Sequence, residues 1–170
     1  PERDVSALPA SLEARYMVAT GDEAPDFTAP LANGDIEQFT LSEQFEDGPI
    51  LLAFFPGAFT SVCSHEMNTF EDRLAAFEDE GVTVYGISTN SPFALNEFRD
   101  KLGLTFDLIS DTNREIIDAY DISMDFDHIG VTNLAKRAVF VIDTDGTVSY
   151  AWVSDDPGVE PDYDELEAVA

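Results

Sequence analysis

The sequence predicts an α/β fold in which a mixed central sheet is flanked by helices. Three apolar segments of strand length, PILLAFFP, GVTVYGIST and RAVFVID, indicate strands that are buried on both faces. Amphipathic helical segments lie between them, and this alternation is typical of an α/β sandwich. The pair Asp145-Gly146 predicts a turn into TVSYAWVS, so the last two strands form a reversed pair and the sheet is not purely parallel.

The amino-terminal part is predicted to contain a lead-in followed by a hairpin. We expect residues 1–20 to form an extended lead-in that continues towards GDEAPDF. Pro25 and Pro30 limit any helix in this part of the chain. The pair Asn33-Gly34 lies between apolar-containing segments and favours a hairpin turn. Because the chain shows no internal repeat and no Gly/Ser linker, we expect residues 1–170 to form a single domain.

Two longer helices are predicted in the middle of the chain. Between Ser61 and Glu80 the apolar residues recur at helical spacing, which indicates one amphipathic helix. The residues of this apolar stripe are Met67, Phe70, Leu74 and Phe77. Ser91 is suited to an N-cap and Pro92 to the first turn, so a second helix is expected to run from there to about Leu102.

Shorter elements are predicted in the carboxy-terminal third. FDLIS favours a short strand, while NREIIDAYD and PDYDELEAVA favour short helices. In TVSYAWVS the alternation predicts that Val148, Tyr150 and Trp152 lie on one face of the last strand.

The charge of the chain excludes several classes of partner. There are 8 Lys+Arg against 35 Asp+Glu, a net charge of −27, which makes nucleic acid and anionic membranes poor partners. The acidic residues interleave with apolar residues from end to end, as in FEDRLAAFEDEG. We interpret this as adaptation to the high-salt cytoplasm of a halophile, and the alternative is an acidic surface aimed at a basic partner.

The cysteine and histidine content limits the chemistry further. A single cysteine cannot form an internal disulfide, so nothing indicates secretion. No apolar run reaches about 18 residues and the amino terminus lacks a signal-peptide pattern, so we expect a cytoplasmic protein. One cysteine with the scattered His65 and His128 does not make a zinc site, and we expect neither a metal nor a cofactor.

The lone cysteine, Cys63, lies in the segment FFPGAFTSVCSHE, four residues before Met67. It therefore belongs to the buried stripe and to the first turn of the predicted helix. Unpaired backbone N–H groups and the positive end of the helix dipole stabilise anions there, so a thiolate is favoured. The alternative is that Cys63 is a small buried hydrophobic residue, which is common for free cysteine.

The segment PGAFTSVC, from Pro56 to Cys63, fits the PxxxTxxC signature of peroxiredoxins, which the chain resembles over most of its length. GDEAPDFTAPLANGDIEQFTLSE resembles their amino-terminal hairpin region, and RAVFVIDTDGTVSYAW their strand pair with the active-site arginine. The most similar subgroups are the one-cysteine AhpE-like proteins and the bacterioferritin-comigratory group. The resemblance implies a thioredoxin-like fold with an amino-terminal hairpin extension.

The resemblance also assigns roles around the cysteine. It implies that Cys63 is the peroxidatic nucleophile, that Thr60 hydrogen-bonds the thiolate and the peroxide, and that Pro56 shields the site from water. The backbone N–H groups of Val62 and Cys63 are expected to stabilise the charge that develops on the peroxide oxygens.

Arg137 is the residue that the resemblance implies as the active-site cation. Its neighbour Lys136 is expected to point to the opposite face of the strand. Glu66 is expected to hold Arg137 or to order the loop, and the alternative is a solvated acid in the first turn of the helix.

These expectations define a thiol-dependent peroxidase that reduces hydrogen peroxide or organic hydroperoxides. Without a second cysteine, the sulfenic acid would be reduced by an external thiol, either a small thiol or a thioredoxin- or glutaredoxin-like protein. The family resemblance also suggests a homodimer. A redox sensor or holdase without significant turnover is the alternative, and a Cys-His hydrolase is disfavoured because no orienting group is evident.

The chain departs from the family pattern at two places. It has Tyr120-Asp121 where family members often have Tyr-Gly, and a long segment, residues 123–136, precedes the arginine strand. The second departure makes the spacing to Arg137 less regular, and we expect it to affect substrate access or the dimer surface.

Overall fold

The computed structural model describes residues 18–170. Most of the predicted lead-in, residues 1–17, lies outside the described residues. The strands are β1 Thr28–Ala32, β2 Ile36–Thr40, β3 Ile50–Phe54, β4 Thr83–Ser88, β5 Asp107–Ser110, β6 Ser123–Phe126, β7 Val131–Ala135, β8 Arg137–Ile142 and β9 Val148–Ser154. The α-helices are α1 Ser61–Asp72, α2 Leu74–Asp79, α3 Pro92–Leu102, α4 Glu115–Ala119 and α5 Tyr163–Val169.

Seven strands form one mixed sheet in the order β2-β1-β5-β4-β3-β8-β9. The three central strands β3, β4 and β5 are parallel, whereas β8 pairs antiparallel with β3 and β9 pairs antiparallel with β8. The predicted α/β fold with a mixed sheet and a reversed pair at its end is confirmed. The hairpin predicted at Asn33-Gly34 is present as β1 and β2.

The sheet is covered on both faces, which explains the continuous apolar run in β3. Ile50, Leu52 and Phe54 point into one apolar cluster, while Leu51 and Ala53 point into the other. Helix α1 packs on the second face through its apolar stripe, and α3 lies on the same side. The amino-terminal end of α1 is therefore held against the centre of the sheet.

The helix predicted from Ser61 to Glu80 is wrong in its continuity. It divides at Arg73, which has φ −100° and ψ 2° and lies between α1 and α2. Leu74 and Phe77 nevertheless remain buried. Apolar spacing indicates which side of a segment faces the core. Here the same side stays buried before and after Arg73, so the spacing does not reveal the break between the two helices.

The predicted face of β9 is also wrong. Val141 pairs with Tyr150 and Ile142 pairs with Val148, so one extra residue is inserted in β9 at a bulge. Val148 consequently joins the apolar cluster of one face, while Tyr150 and Trp152 pack on the other. A bulge shifts the alternation of side chains by one residue. A prediction that assumes strict alternation along the strand therefore assigns the wrong face beyond the bulge.

The long segment 123–136 contains a separate hairpin, β6 and β7, that was not predicted. It follows Asp121, a non-glycine residue in the left-handed conformation with φ 52°. That conformation explains why glycine suits this position.

In the described part of the chain, no helix combines the length and hydropathy needed to cross a bilayer.

Candidate active site

Cys63 is the third residue of α1, at the point where the loop from β3 enters the helix. The first backbone bond of the helix is donated by Ser64 N to Thr60 O at 2.9 Å. Among the hydrogen bonds of the described residues, none uses the N–H groups of Val62 or Cys63. Two donors without a partner among the described residues therefore lie in the same turn as the sulfur, and Cys63 is 1% exposed.

The sheet topology brings Arg137 to the same place. Residue Ala138 of β8 pairs antiparallel with Phe54, so β8 begins where β3 ends. The loop to α1 leaves from that end of β3, and the side chain of Arg137 meets the first turn of the helix. Its Nη2 donates to Cys63 Sγ at 3.1 Å, although the two residues are 74 positions apart.

The guanidinium of Arg137 is buried and held by three acceptors. Nη1 donates to Glu66 Oε1 at 2.9 Å, and Nε and Nη2 donate to the carbonyl oxygen of Pro157 at 3.1 and 2.8 Å. Burial lowers the pKa of Arg137, but the attraction of Glu66 and Cys63 outweighs it, so the pKa is raised. The group therefore stays a cation beside the sulfur.

Glu66 lies one helical turn beyond Cys63 and is 0% exposed. Its Oε1 bonds Arg137, whereas Oε2 has no hydrogen-bond partner among the described residues. Burial raises the pKa of the Glu66 carboxyl to about 8, and the neighbouring Arg137 opposes this only in part. One cation thus lies between two groups that can carry negative charge, in a site closed to water.

Pro56 and Thr60 flank the site from the loop. Pro56 is buried, and Thr60 is exposed at the start of α1. The Thr60 hydroxyl donates to Gly57 O at 2.8 Å, and the expected bond to Cys63 Sγ is not among the hydrogen bonds of the described residues. The Thr60 oxygen retains lone pairs that can accept a hydrogen bond from a bound molecule.

The other polar candidates point away from the sulfur. His65 is exposed, with its Nδ1 2.7 Å from Glu160 Oε1, and His128 stacks on Phe126 with ring centroids 6.1 Å apart. The ammonium of Lys136 lies 2.7 Å from Asp155 Oδ1. Within residues 18–170, no group of three or more His, Cys, Asp or Glu is placed to hold a metal.

The residues that the sequence analysis missed come from the carboxy-terminal segment. Pro157 contributes a backbone carbonyl, and a backbone group leaves no signature in residue types. Glu160 is one of many carboxylates in an acidic chain, so its contact with His65 had no distinguishing signal either.

Comparisons with known proteins show the family to which the chain belongs. A model of the AhpC/TSA family matches residues 20–151, so the chain belongs to that family. Peroxiredoxin Bcp of Escherichia coli K12 is 32% identical over 133 residues, covering 78% of this chain and 83% of the relative. A protein of Mycobacterium tuberculosis H37Rv that carries the name peroxiredoxin is 36% identical over 132 residues, covering 77% and 82%.

Solved structures give the same result. Peroxidoxin BcpB from Mycobacterium tuberculosis superposes with a TM-score of 0.76 at 28% identity, covering 89% of this chain and 96% of that one. The reduced 2-Cys peroxiredoxin of Plasmodium vivax gives a TM-score of 0.77 at 25% identity, covering 89% and 94%. The predicted peroxiredoxin family and thioredoxin-like fold are confirmed, and the single cysteine of the chain fits a one-cysteine mechanism.

Proposed function

We propose that the protein reduces hydrogen peroxide or organic hydroperoxides with Cys63 as its peroxidatic cysteine. The observation that carries this proposal is the 3.1 Å contact between Arg137 Nη2 and Cys63 Sγ at the first turn of α1. The Arg137 guanidinium donates to this sulfur, and the N–H groups of Val62 and Cys63 lie in the same helical turn, so donors are available for the charge that moves when the sulfur attacks a substrate.

In the first step the Cys63 thiolate attacks one oxygen of the peroxide. A sulfur–oxygen bond forms, the oxygen–oxygen bond breaks, and the leaving hydroxide or alkoxide takes up a proton and departs as water or alcohol. Cys63 becomes a sulfenic acid, two electrons having passed from sulfur to the peroxide. Arg137 and the N–H groups of Val62 and Cys63 stabilise the charge that moves onto the oxygens.

Thr60 and Pro56 prepare the site for the reaction: Thr60 orients the peroxide and Pro56 excludes water. The Thr60 hydroxyl already donates to Gly57 O, so its oxygen serves as acceptor for the peroxide O–H and orients the molecule towards sulfur. Pro56 is buried beside the site and keeps water out, and Glu66 holds Arg137.

In the second step an external thiol reduces the sulfenic acid. One thiol forms a mixed disulfide with Cys63 and releases water, and a second thiol restores the Cys63 thiol and leaves as the reductant's disulfide. We propose a small thiol or a thioredoxin- or glutaredoxin-like protein in this role. We further propose a homodimer of single-domain chains, residues 1–170, that works in a cytoplasm of high salt.

Turnover of hydrogen peroxide with excess dithiothreitol tests the function, using the Cys63→Ser variant as the matched control. We expect continuous consumption by the wild type and none by the variant. Consumption by Cys63→Ser at the wild-type rate would contradict the proposal. A single stoichiometric burst, with no recycling by any thiol, would instead identify the protein as a redox sensor.

A further inference from the structure

Residues 155–162 connect β9 to α5 and pass over Arg137, and we call them the C-terminal strap. The Pro157 carbonyl in this strap accepts from Nε and Nη2 of Arg137 at 3.1 and 2.8 Å. The same Nη2 donates to Cys63 Sγ. The strap and the sulfur are therefore bound to one nitrogen of the guanidinium.

The hydrogen-bond count shows how firmly the guanidinium is oriented. An arginine side chain has five N–H donors in a planar fork, and four of them are used here: two on Pro157 O, one on Glu66 Oε1 and one on Cys63 Sγ. If Pro157 O withdrew, Glu66 would be the remaining oxygen acceptor, and the plane could rotate about that contact. Nη2 would then leave the sulfur.

Glu160 ties the strap to the helix that carries the cysteine. Its Oε1 accepts from the Tyr163 hydroxyl at 2.7 Å and lies 2.7 Å from Nδ1 of His65, which is on α1 two residues after Cys63. Burial raises the pKa of Glu160, but the hydrogen bonds of Tyr163 and His65 outweigh it and lower the pKa, which favours the ionised acceptor.

The other end of the strap is held beside the arginine. Asp155 lies 2.7 Å from the ammonium of Lys136, the residue that precedes Arg137. Asp156 shapes the turn between these points, since its Oδ1 accepts from Gly158 N at 2.9 Å and its backbone oxygen accepts from Val159 N at 3.1 Å. The Pro157 carbonyl is thus presented from a segment that is fixed at both ends.

We propose that Glu160 is a positioning residue for the reaction of Cys63. By pinning the strap to α1, it keeps the Pro157 carbonyl on Arg137 and so keeps Nη2 against the sulfur. This inference rests on the proposed function in one respect, that Cys63 is the reacting atom. The strap lies beyond residue 151, where the match to the family ends, so this anchor is additional to the matched region.

The rate of Cys63 oxidation by hydrogen peroxide tests the proposal in three variants. We expect Glu160→Ala to lower the second-order rate constant about tenfold, the effect of losing one well-placed charged hydrogen bond. Glu160→Gln should recover most of the rate because its side-chain amide can still hydrogen-bond Nδ1 of His65 on α1. The control Asp164→Ala, which removes an exposed contact between α5 and Arg73, should react like the wild type.

Two further measurements separate positioning from general disruption. In an Arg137→Lys background, Glu160→Ala should cause little additional loss, because its effect acts through the arginine. In ¹⁵N NMR spectra, the Nε–H of Arg137 should exchange slowly with solvent in the wild type and rapidly in Glu160→Ala.

The inference would be overturned by an unchanged rate in Glu160→Ala, by a tenfold loss that persists in the Arg137→Lys background, or by an unchanged Arg137 Nε–H signal. The NMR measurement requires no turnover. If Cys63 proved not to be the reacting sulfur, the rates would lose their meaning but the test of the strap would stand.

Discussion

Replacing Glu66 with Gln tests the electrostatics of the site through protein stability. The Glu66 carboxyl is buried, and its pKa is raised from 4.5 to about 8 in the folded protein. A folded-state pKa above the unfolded value means that folding favours the protonated form. The contribution to stability is therefore fully present below pH 4.5 and is lost as the pH rises through about 8.

The size of the effect follows from the shift. One proton changes the free energy of unfolding by at most about 1.4 kcal/mol per pH unit, which sums to roughly 5 kcal/mol over this range. Glutamine resembles the protonated carboxyl and keeps an oxygen for Arg137. We therefore expect Glu66→Gln to gain stability relative to the wild type as the pH rises from 4.5 to about 8.

Urea denaturation at a series of pH values measures the difference in the free energy of unfolding between the two proteins. The salt concentration is held at about 1 M throughout to screen the acidic surface. Taking the difference between the two proteins cancels the titration of the other carboxylates. Glu160→Gln is a control of opposite sign, because the lowered pKa of Glu160 gives stability that is lost as the pH falls. Parallel curves for wild type and Glu66→Gln across the range would refute the reasoning.

Three further predictions concern the fold and the surface. Asp121→Gly should raise the free energy of unfolding by up to about 1 kcal/mol, because glycine removes the strain of φ 52° but makes the unfolded chain more flexible; a loss of stability in urea denaturation would contradict this. Gly86→Ala should cost about 1–3 kcal/mol in the same assay, since a Cβ would lie 2.7 Å from Leu108 Cδ2 and 3.1 Å from Met67 Sδ, and a neutral effect would show that these side chains move freely. The Tm should rise between about 0.1 M and about 1 M salt, as the screening length falls from about 10 to about 3 Å around a net charge of −27, whereas a flat profile would argue against self-repulsion of the surface.

The elements with strong local signals were predictable from the sequence. The helix that starts at Ser91-Pro92 begins and ends as expected, because an N-cap and a proline fix its start and Gly103 adopts the left-handed conformation that ends it. The hairpin at Asn33-Gly34 has a comparable turn signal. In contrast, the break at Arg73 and the bulge in β9 have no local signature, since the apolar pattern continues through both.

The candidate site was predictable where side chains carry the information. Cys63 was placed in the first turn by its spacing from Met67, and the resemblance supplied Arg137. The meeting of the two depends on β8 lying antiparallel beside β3, a long-range pairing that residue types do not encode locally. The third anchor of the guanidinium, the Pro157 carbonyl, could not be predicted, because a backbone group leaves no signature in residue types.

The central claim is that the sulfur beside Arg137 is the atom that peroxide oxidises, and mass spectrometry after one equivalent of hydrogen peroxide tests it most directly. We expect one added oxygen on Cys63, present as a sulfenic acid that reacts with dimedone. This sulfenic acid should form at least about a hundredfold more slowly in Arg137→Lys. Peroxide consumed with no oxygen on Cys63, or an adduct that forms equally fast in both proteins, would contradict the claim.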